Sequence, residues 1–464
     1  MAVHPSSVPT FRWPKRVLLA LLLAMLVVPA ILAKFHLVEE AFLHGASPLS
    51  DHPDFSWTAL RSNGYQPALE KYLEDRLGLR SHLIRLRNQV SFSLFRSTHA
   101  SGVAVGRDGV LFEIFQAQSY AGHDRLAEDV VRNRVRRLRT VQRDLAQRGV
   151  QLLFVMAPNK PRFQPEDLPA GLRAAPGTVA NYDLYIREMR ADTVAFLDMV
   201  PLFARWKKTS PYPLFARAGT HWSGYGATLA GDTLLRRLAH MGNVRFPAIR
   251  TVGPPLVVRS TDSLQGNDND LAKPMNLILN AENIPHAYRR LAFDPPKPGE
   301  TRPPALFVGD SFTWGLTYFS PYLLREFSDD TRLWYYGMNV HLVDSLFTYT
   351  GWQCQRLDLR KEIESRRFIV LVVTEHNLVK QEFGFTDRVY QLYHPYSEAD
   401  NAAINQIANR LVEENNARDA DAAWAAQAKD GNAYWERMHQ QAEELYRQKQ
   451  EQRPTVSAQK TPTN

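Results

Sequence analysis

The stretch Leu306-Phe307-Val308-Gly309-Asp310-Ser311-Phe312-Thr313 decides how this chain is read. Ala305 to Val308 are apolar throughout, as a strand covered on both faces requires, and the run stops at a glycine. An acidic residue, a serine and an aromatic follow. Open α/β sheets bind their ligands just outside the carboxyl ends of the strands, and Ser311 falls at such an end. Gly309 is expected to supply a sharp turn that lets the hydroxyl stand clear of the sheet. A serine hydroxyl is a weak nucleophile unless a base lies beside it, so the rest of the chain has to provide one.

A candidate base lies in Ala218-Gly219-Thr220-His221-Trp222-Ser223-Gly224-Tyr225-Gly226. Ser223 suits the N-cap of a helix reaching to about Met241, which puts His221 in the loop just before a helix start. There it can act as a base; a structural histidine is the competing reading. Other αβ alternations surround the two blocks. Leu126 to Gln147 reads as a basic helix with Gly149 as its C-cap, and Val150 to Met156 as a buried strand. The loop Ala157-Pro158-Asn159-Lys160-Pro161-Arg162 closes that strand, where function concentrates. A helix over Ala180–Arg190 leads to a strand over Val194–Leu197. Leu333–Tyr336 and Phe368–Val373 read as further strands, the last ending in Thr374-Glu375-His376-Asn377. Alternation of this kind predicts an α/β fold, a mainly parallel sheet with helices on both faces.

The chain has 464 residues, a formal charge of +8 and a single cysteine, Cys354. One cysteine excludes an internal disulfide and makes a cysteine metal site untenable. The positive balance favours an anionic partner, but no basic run is interleaved with aromatics, so nucleic-acid binding is not expected. Asp262 to Asp270 has the look of a calcium loop without the closing glutamate, and no metal or cofactor is assigned. Near the start, Arg12, Lys15 and Arg16 precede the apolar run Val17–Ala33. The run is long enough to span a bilayer, and the basic flank places the remainder outside the cytoplasm; a cleaved signal peptide is the alternative. Pro67 to Phe95 has near-helical apolar spacing interrupted at Gly78, and Val103–Phe112 reads as a hairpin. Seven arginines from Arg132 to Arg148 are spread around the basic helix and are read as a solvated face.

Gly309-Asp310-Ser311-Phe312, with Thr220-His221-Trp222 about ninety residues before it, resembles the SGNH-like O-acetyltransferases of exopolysaccharide biosynthesis, the AlgJ/AlgX type. Val105-Gly106-Arg107-Asp108-Gly109-Val110-Leu111-Phe112, the Pro158–Pro169 segment and Tyr72–Arg80 support the likeness. The resemblance implies an SGNH-like catalytic domain over 101–395. Around it stand a cytoplasmic segment over 1–16, a transmembrane signal-anchor over 17–35 and a helical juxtamembrane region over 36–100. A C-terminal helical region over 396–452 and a disordered tail over 453–464 complete the chain. It implies an inner-membrane, single-pass protein with its catalytic domain in the periplasm. That protein would acetylate hydroxyls of an exported, alginate-like exopolysaccharide through an acetyl-Ser311 intermediate, with His221 as base and a membrane-bound O-acyltransferase as acetyl source. The polymer, acidic or neutral, is a partner.

Asp310 enters as a further catalytic candidate. Asn339, Asn377, Trp222 and Lys160 enter as candidates for oxyanion stabilisation or substrate binding. The family keeps an aspartate two residues before the histidine, and this chain has Gly219 there. Loss of that orienting acid costs other triads about 10⁴ in turnover. Asp310, Asp262, Asp268, Asp270 and Glu375 are the acids available to replace it. A Ser311–His221 dyad, an acetylesterase of the same fold and a catalytically impaired assembly protein are the alternatives.

Overall fold

The computed structural model describes residues 12–35, 37–45, 48–279, 284–344, 347–418 and 430–452. The tail over 453–464 and the first eleven residues lie outside that range. The chain divides into two compact units, residues 1–105 with 270–281, and residues 106–269 with 282–464.

In the first unit, α1 (Arg12–Phe35) carries the apolar run, and Trp13–Phe35 is long and apolar enough to cross a membrane. The amphipathic stretch after it forms two helices, α2 (Tyr65–Asp75) and α3 (Arg80–Phe95). They break at Gly78, as expected, for a steric reason. A side chain there would meet the Pro29 carbonyl at 2.5 Å and the Ala33 nitrogen at 2.8 Å, so only glycine lets the turn sit against the end of α1.

The second unit is built on a seven-stranded sheet among the described residues. Its strands are β1 (Gln151–Ala157), β2 (Phe196–Asp198), β3 (Ala305–Gly309), β4 (Arg332–Tyr335), β5 (Asn339–Leu342), β6 (Tyr349–Gln353) and β7 (Phe368–Thr374). They lie in the order β6-β5-β4-β3-β7-β1-β2. The five from β4 to β2 are parallel, and β5 and β6 add an antiparallel edge. The mainly parallel sheet is therefore as expected. Its central strands are wholly buried because both faces are covered. Successive residues alternate between two cores. Leu306, Val308, Ile369, Leu371 and Val373 face one cluster with α4 (Glu128–Gln147) and α5 (Asn181–Ala191). Phe307, Phe368, Val370 and Val372 face the other with α6 (Gly224–Gly242).

Helix α7 (Phe385–Tyr393) joins the first cluster through Phe385 and Val389. Beyond it, α8 (Glu398–Arg418) and α9 (Gly431–Glu451) bury Ile404, Ala408, Ala442 and Tyr446 against each other. Glu451, at the end of α9, is buried and pairs with Arg134 at 3.2 Å and Arg137 at 3.0 Å on α4. The C-terminal helices therefore pack on their own unit. The basic helix is also less solvated than expected: Arg134 and Arg137 are spent on internal ion pairs, and Arg136 and Arg143 stay exposed.

Candidate active site

Strand β3 delivers Ser311 to the carboxyl edge of the sheet. After Gly309 the chain enters a short 3₁₀ turn, Ser311–Trp314, with Asp310 as its cap. The Asp310 carboxylate accepts the Phe312 N–H at 3.0 Å, which ties the turn to the strand end. Gly309 acts differently from the expectation. Its φ is not left-handed; glycine is required because a side chain would collide with Thr313 and with the Val372 carbonyl of β7. The turn is tight through close approach of two backbones rather than through unusual torsions.

The second block arrives from before α6. Ser223 caps that helix as expected, its hydroxyl accepting the Gly226 N–H at 3.1 Å. His221 is 7% exposed, and its Nε2 lies 2.8 Å from the Ser311 Oγ. The fold thus brings together two residues ninety apart in the chain, within hydrogen-bond range. Phe312 packs its ring 4.8 Å from the imidazole and 5.3 Å from Trp222, so the aromatic after the serine holds the histidine in place. Thr220 donates to Glu113 at 3.0 Å and anchors the same loop from a second side.

The remaining sequence candidates take other roles. Asp310 does not bond His221. Its second carboxylate oxygen accepts the Thr374 N–H at 2.8 Å, the Asn377 amide at 2.9 Å and the Thr374 hydroxyl. It braces the ends of β3 and β7, a correction to its placement at the reacting centre. Asn377 is buried in that brace, donating also to Thr374 at 3.1 Å and to His376 Nε2 at 3.0 Å, so it is not an open oxyanion donor. Lys160 is fully buried, and its Nζ donates to the carbonyls of Leu111, Ala216 and Gly219 at 2.6–2.7 Å and to Arg217 at 3.2 Å. A cation that donates to these backbone carbonyls braces the histidine loop. Trp222 is likewise interior, stacked 6.0 Å from Phe203. Asn339 opens β5 opposite Tyr335, partly exposed, with no side-chain hydrogen bond among the described residues.

The acids weighed as replacements for an aspartate at position 219 also separate. Glu375 is buried and clasped by Arg162 through bonds of 2.5–2.9 Å. Burial raises its pKa against the lowering pull of Arg162. Position 219 has no room for an acid: a side chain would meet the Asp268 carbonyl at 2.8 Å and the Asn267 carbonyl at 2.9 Å. Asp268 is buried, and its carboxylate accepts the Gly224 N–H at 3.2 Å and the Tyr288 hydroxyl at 2.9 Å. The side chain of Asp262 lies outside the described residues.

Two further groups face the pair. Tyr336 directly follows β4 in a left-handed conformation, φ 50°, rare for a tyrosine. Its N–H donates to the Gly309 carbonyl at 2.8 Å, which ties it to the end of β3 two residues before Ser311. Burial, then the Asp310 charge, raise its pKa, so it stays a neutral donor. His376 is held neutral, its pKa lowered to about 4 by burial against the opposing pull of Asp310. Its ring bridges Asn159 at 2.9 Å and Asn377 at 3.0 Å. Neither residue has a spacing signal in the sequence. A strand-end aromatic before Gly337 was the only cue for Tyr336.

A serine and a histidine joined at the carboxyl edge of a mainly parallel sheet, with helices on both faces, define an SGNH-like α/β domain. Residues 103–333, which contain both blocks, match the family model described as ALGX, SGNH hydrolase-like domain, acetyltransferase AlgX, and the domain they form belongs to that family. Among solved structures the chain is similar to the O-acetyltransferase domain of Pseudomonas putida AlgJ, at 19% identity over 62% of this chain and 99% of that one, TM-score 0.40. It is also similar to Pseudomonas aeruginosa AlgX, at 16% identity over 65% and 69% of the two chains, TM-score 0.38. Bacillus cereus PatB1 is a third, at 13% identity over 56% and 93% of the two chains, TM-score 0.35, and its sulfonyl adduct matches at 11% identity with the same coverage, TM-score 0.34. No curated protein matches the chain.

Proposed function

We propose that this protein is an O-acetyltransferase that acetylates hydroxyls of an exported polysaccharide. The observation that carries the reading is the 2.8 Å contact of His221 Nε2 with Ser311 Oγ at the end of β3. The Ser311 oxygen attacks the carbonyl of an acetyl donor while His221 takes the hydroxyl proton. The donor's leaving group departs with that proton and leaves acetyl-Ser311. A sugar hydroxyl then attacks the acetyl carbon, its proton passes to His221, and Ser311 leaves with it as a free hydroxyl. The Ser311 backbone N–H is one donor to the tetrahedral oxyanion, and the hydroxyl of Tyr336, a residue held at the end of β3 by the 2.8 Å bond from its N–H to the Gly309 carbonyl, is the second.

An acid of the 262–268 loop, which packs against Gly219, orients His221 in place of the absent aspartate. The apolar run of α1 anchors the protein in the inner membrane, and the basic residues of its first turns favour a periplasmic catalytic unit. Acetyl-CoA is cytoplasmic, so a membrane-bound O-acyltransferase supplies the acetyl group.

The test is acetate release from p-nitrophenyl acetate by the full-length protein in detergent micelles. Ser311→Ala is expected to abolish it, and mass spectrometry is expected to trap acetyl-Ser311 in the wild type. Undiminished release by Ser311→Ala would sink the mechanism. Added oligosaccharide is expected to divert acetate into an acetylated sugar; free acetate alone would favour an esterase.

A further inference from the structure

A chain of aromatic rings runs from the nucleophile to the edge of the sheet. It starts at Tyr336, whose N–H donates to the Gly309 carbonyl at 2.8 Å two residues before Ser311, and passes to Tyr335 with ring centroids 4.7 Å apart. Tyr335 meets Trp314 at 5.3 Å. Trp314 stacks on Tyr318 at 5.5 Å, with ring planes 10° apart, and meets His341 at 5.1 Å. His341 pairs across the strands with Tyr349 and lies 5.5 Å from its ring. The two outer members, Tyr318 and Tyr349, are each 50% exposed, and the inner ones are partly buried.

An aromatic cluster that served packing alone would close its rings over with other apolar groups; this one leaves large rings open at both ends. Polar groups border it. The Lys380 amine stands 5.2 Å over the Tyr336 ring, and His341 Nδ1 is 3.0 Å from the Phe347 carbonyl. Rings bordered by hydrogen-bonding groups suit a pyranose, which has an apolar C–H face and a polar hydroxyl rim. Adjacent strands lie about 4.8 Å apart, so the distance from β4 to β6 is roughly 10 Å, room for about two sugar rings. The series ends on Ser311, where an acceptor hydroxyl has to arrive. A protein docked along it would cover the nucleophile.

We propose that Tyr318, Trp314, His341 and Tyr349 form the track that binds the acceptor glycan and leads a hydroxyl to Ser311. This rests on the acyl-transfer reading above. The test uses the full-length protein in detergent micelles, titrated calorimetrically with disaccharides and octasaccharides of neutral β-linked glucans and of uronates. Tyr318→Ala and Tyr349→Ala change exposed rings. Each is expected to weaken octasaccharide binding about tenfold, the loss of one stacking contact. Tyr349→Phe is expected to retain it, and all three are expected to release acetate from p-nitrophenyl acetate at the wild-type rate. Unchanged octasaccharide affinity in both alanine variants overturns the proposal, as does a wild type that binds none of these glycans. The two readings fail separately: a wild type that binds octasaccharide through these rings but releases no acetate counts against acyl transfer and supports the track.

Discussion

Gly219 shows how a single residue redirects a site. The family resemblance led to an expected aspartate there, yet the backbone at Asn267 and Asp268 fills the space where any side chain would begin. Gly219→Ala is therefore expected to destabilise the protein by about 1–3 kcal/mol, the usual cost of overpacking, read as a lower urea midpoint. If the orienting acid comes from the 262–268 loop, one of Asp262→Asn and Asp268→Asn is expected to lower kcat on p-nitrophenyl acetate by about 10³–10⁴. Equal, small effects from both would favour the dyad. Tyr336→Phe is expected to reduce kcat by about 10²-fold with KM little changed, the signature of a donor used in the transition state. Ser311 and His221 could be picked out from sequence because each stands in a short block with a local rationale, a strand end and a helix start. The true work of Asp310, Asn377 and Lys160 could not, because each is defined by partners more than forty residues away.

At the scale of elements, periodicity carried most of the information. The strands at Val150–Met156 and Phe368–Val373 and the helix capped by Ser223 stand within a residue or two of where composition and caps put them. The arginines of α4 were harder, since charge alone does not tell a solvated face from an internal ion pair. Glu451 decides it by reaching Arg134 and Arg137 from α9. Removing one partner of a buried pair leaves the other charge uncompensated, so Glu451→Ala is expected to cost about 3–5 kcal/mol in thermal unfolding experiments. Acetate release at low temperature is expected to survive, because α9 packs on α8 and α4. The antiparallel edge of β5 and β6 had no clear sequence signal, and it is this edge that carries Tyr349.

For the molecule as a whole, buried carboxyls set the pH range of stability. Glu326 is fully buried, both its oxygens lack a hydrogen-bond partner among the described residues, and burial raises its pKa to about 7. Burial raises Glu382 to about 7 as well, against a hydrogen bond from Thr386. A carboxyl with a raised pKa binds its proton more tightly in the folded state. Between the ordinary value of 4.5 and about 7 the folded protein holds a proton that the unfolded chain has lost, so stability falls as pH rises through that window. Glu326→Gln is expected to flatten the fall by up to about 3 kcal/mol, seen in urea midpoints measured across the window. A midpoint that falls equally in variant and wild type would show that Glu326 stays ionised when folded.

The sequence by itself determined the α/β class, the candidate serine and histidine blocks and the apolar helix at the start of the chain. Each depends on neighbours along the chain: a run of apolar residues, a cap, a glycine. Only the tertiary structure decided that Ser311 and His221 meet, that position 219 has no space for an acid, and that Lys160 and Asp310 hold the scaffold. It also placed the rings of Trp314, Tyr335, His341 and Tyr349 in one series. Those facts depend on which strands lie side by side. Burial of the whole core sets that order, and no local pattern encodes it.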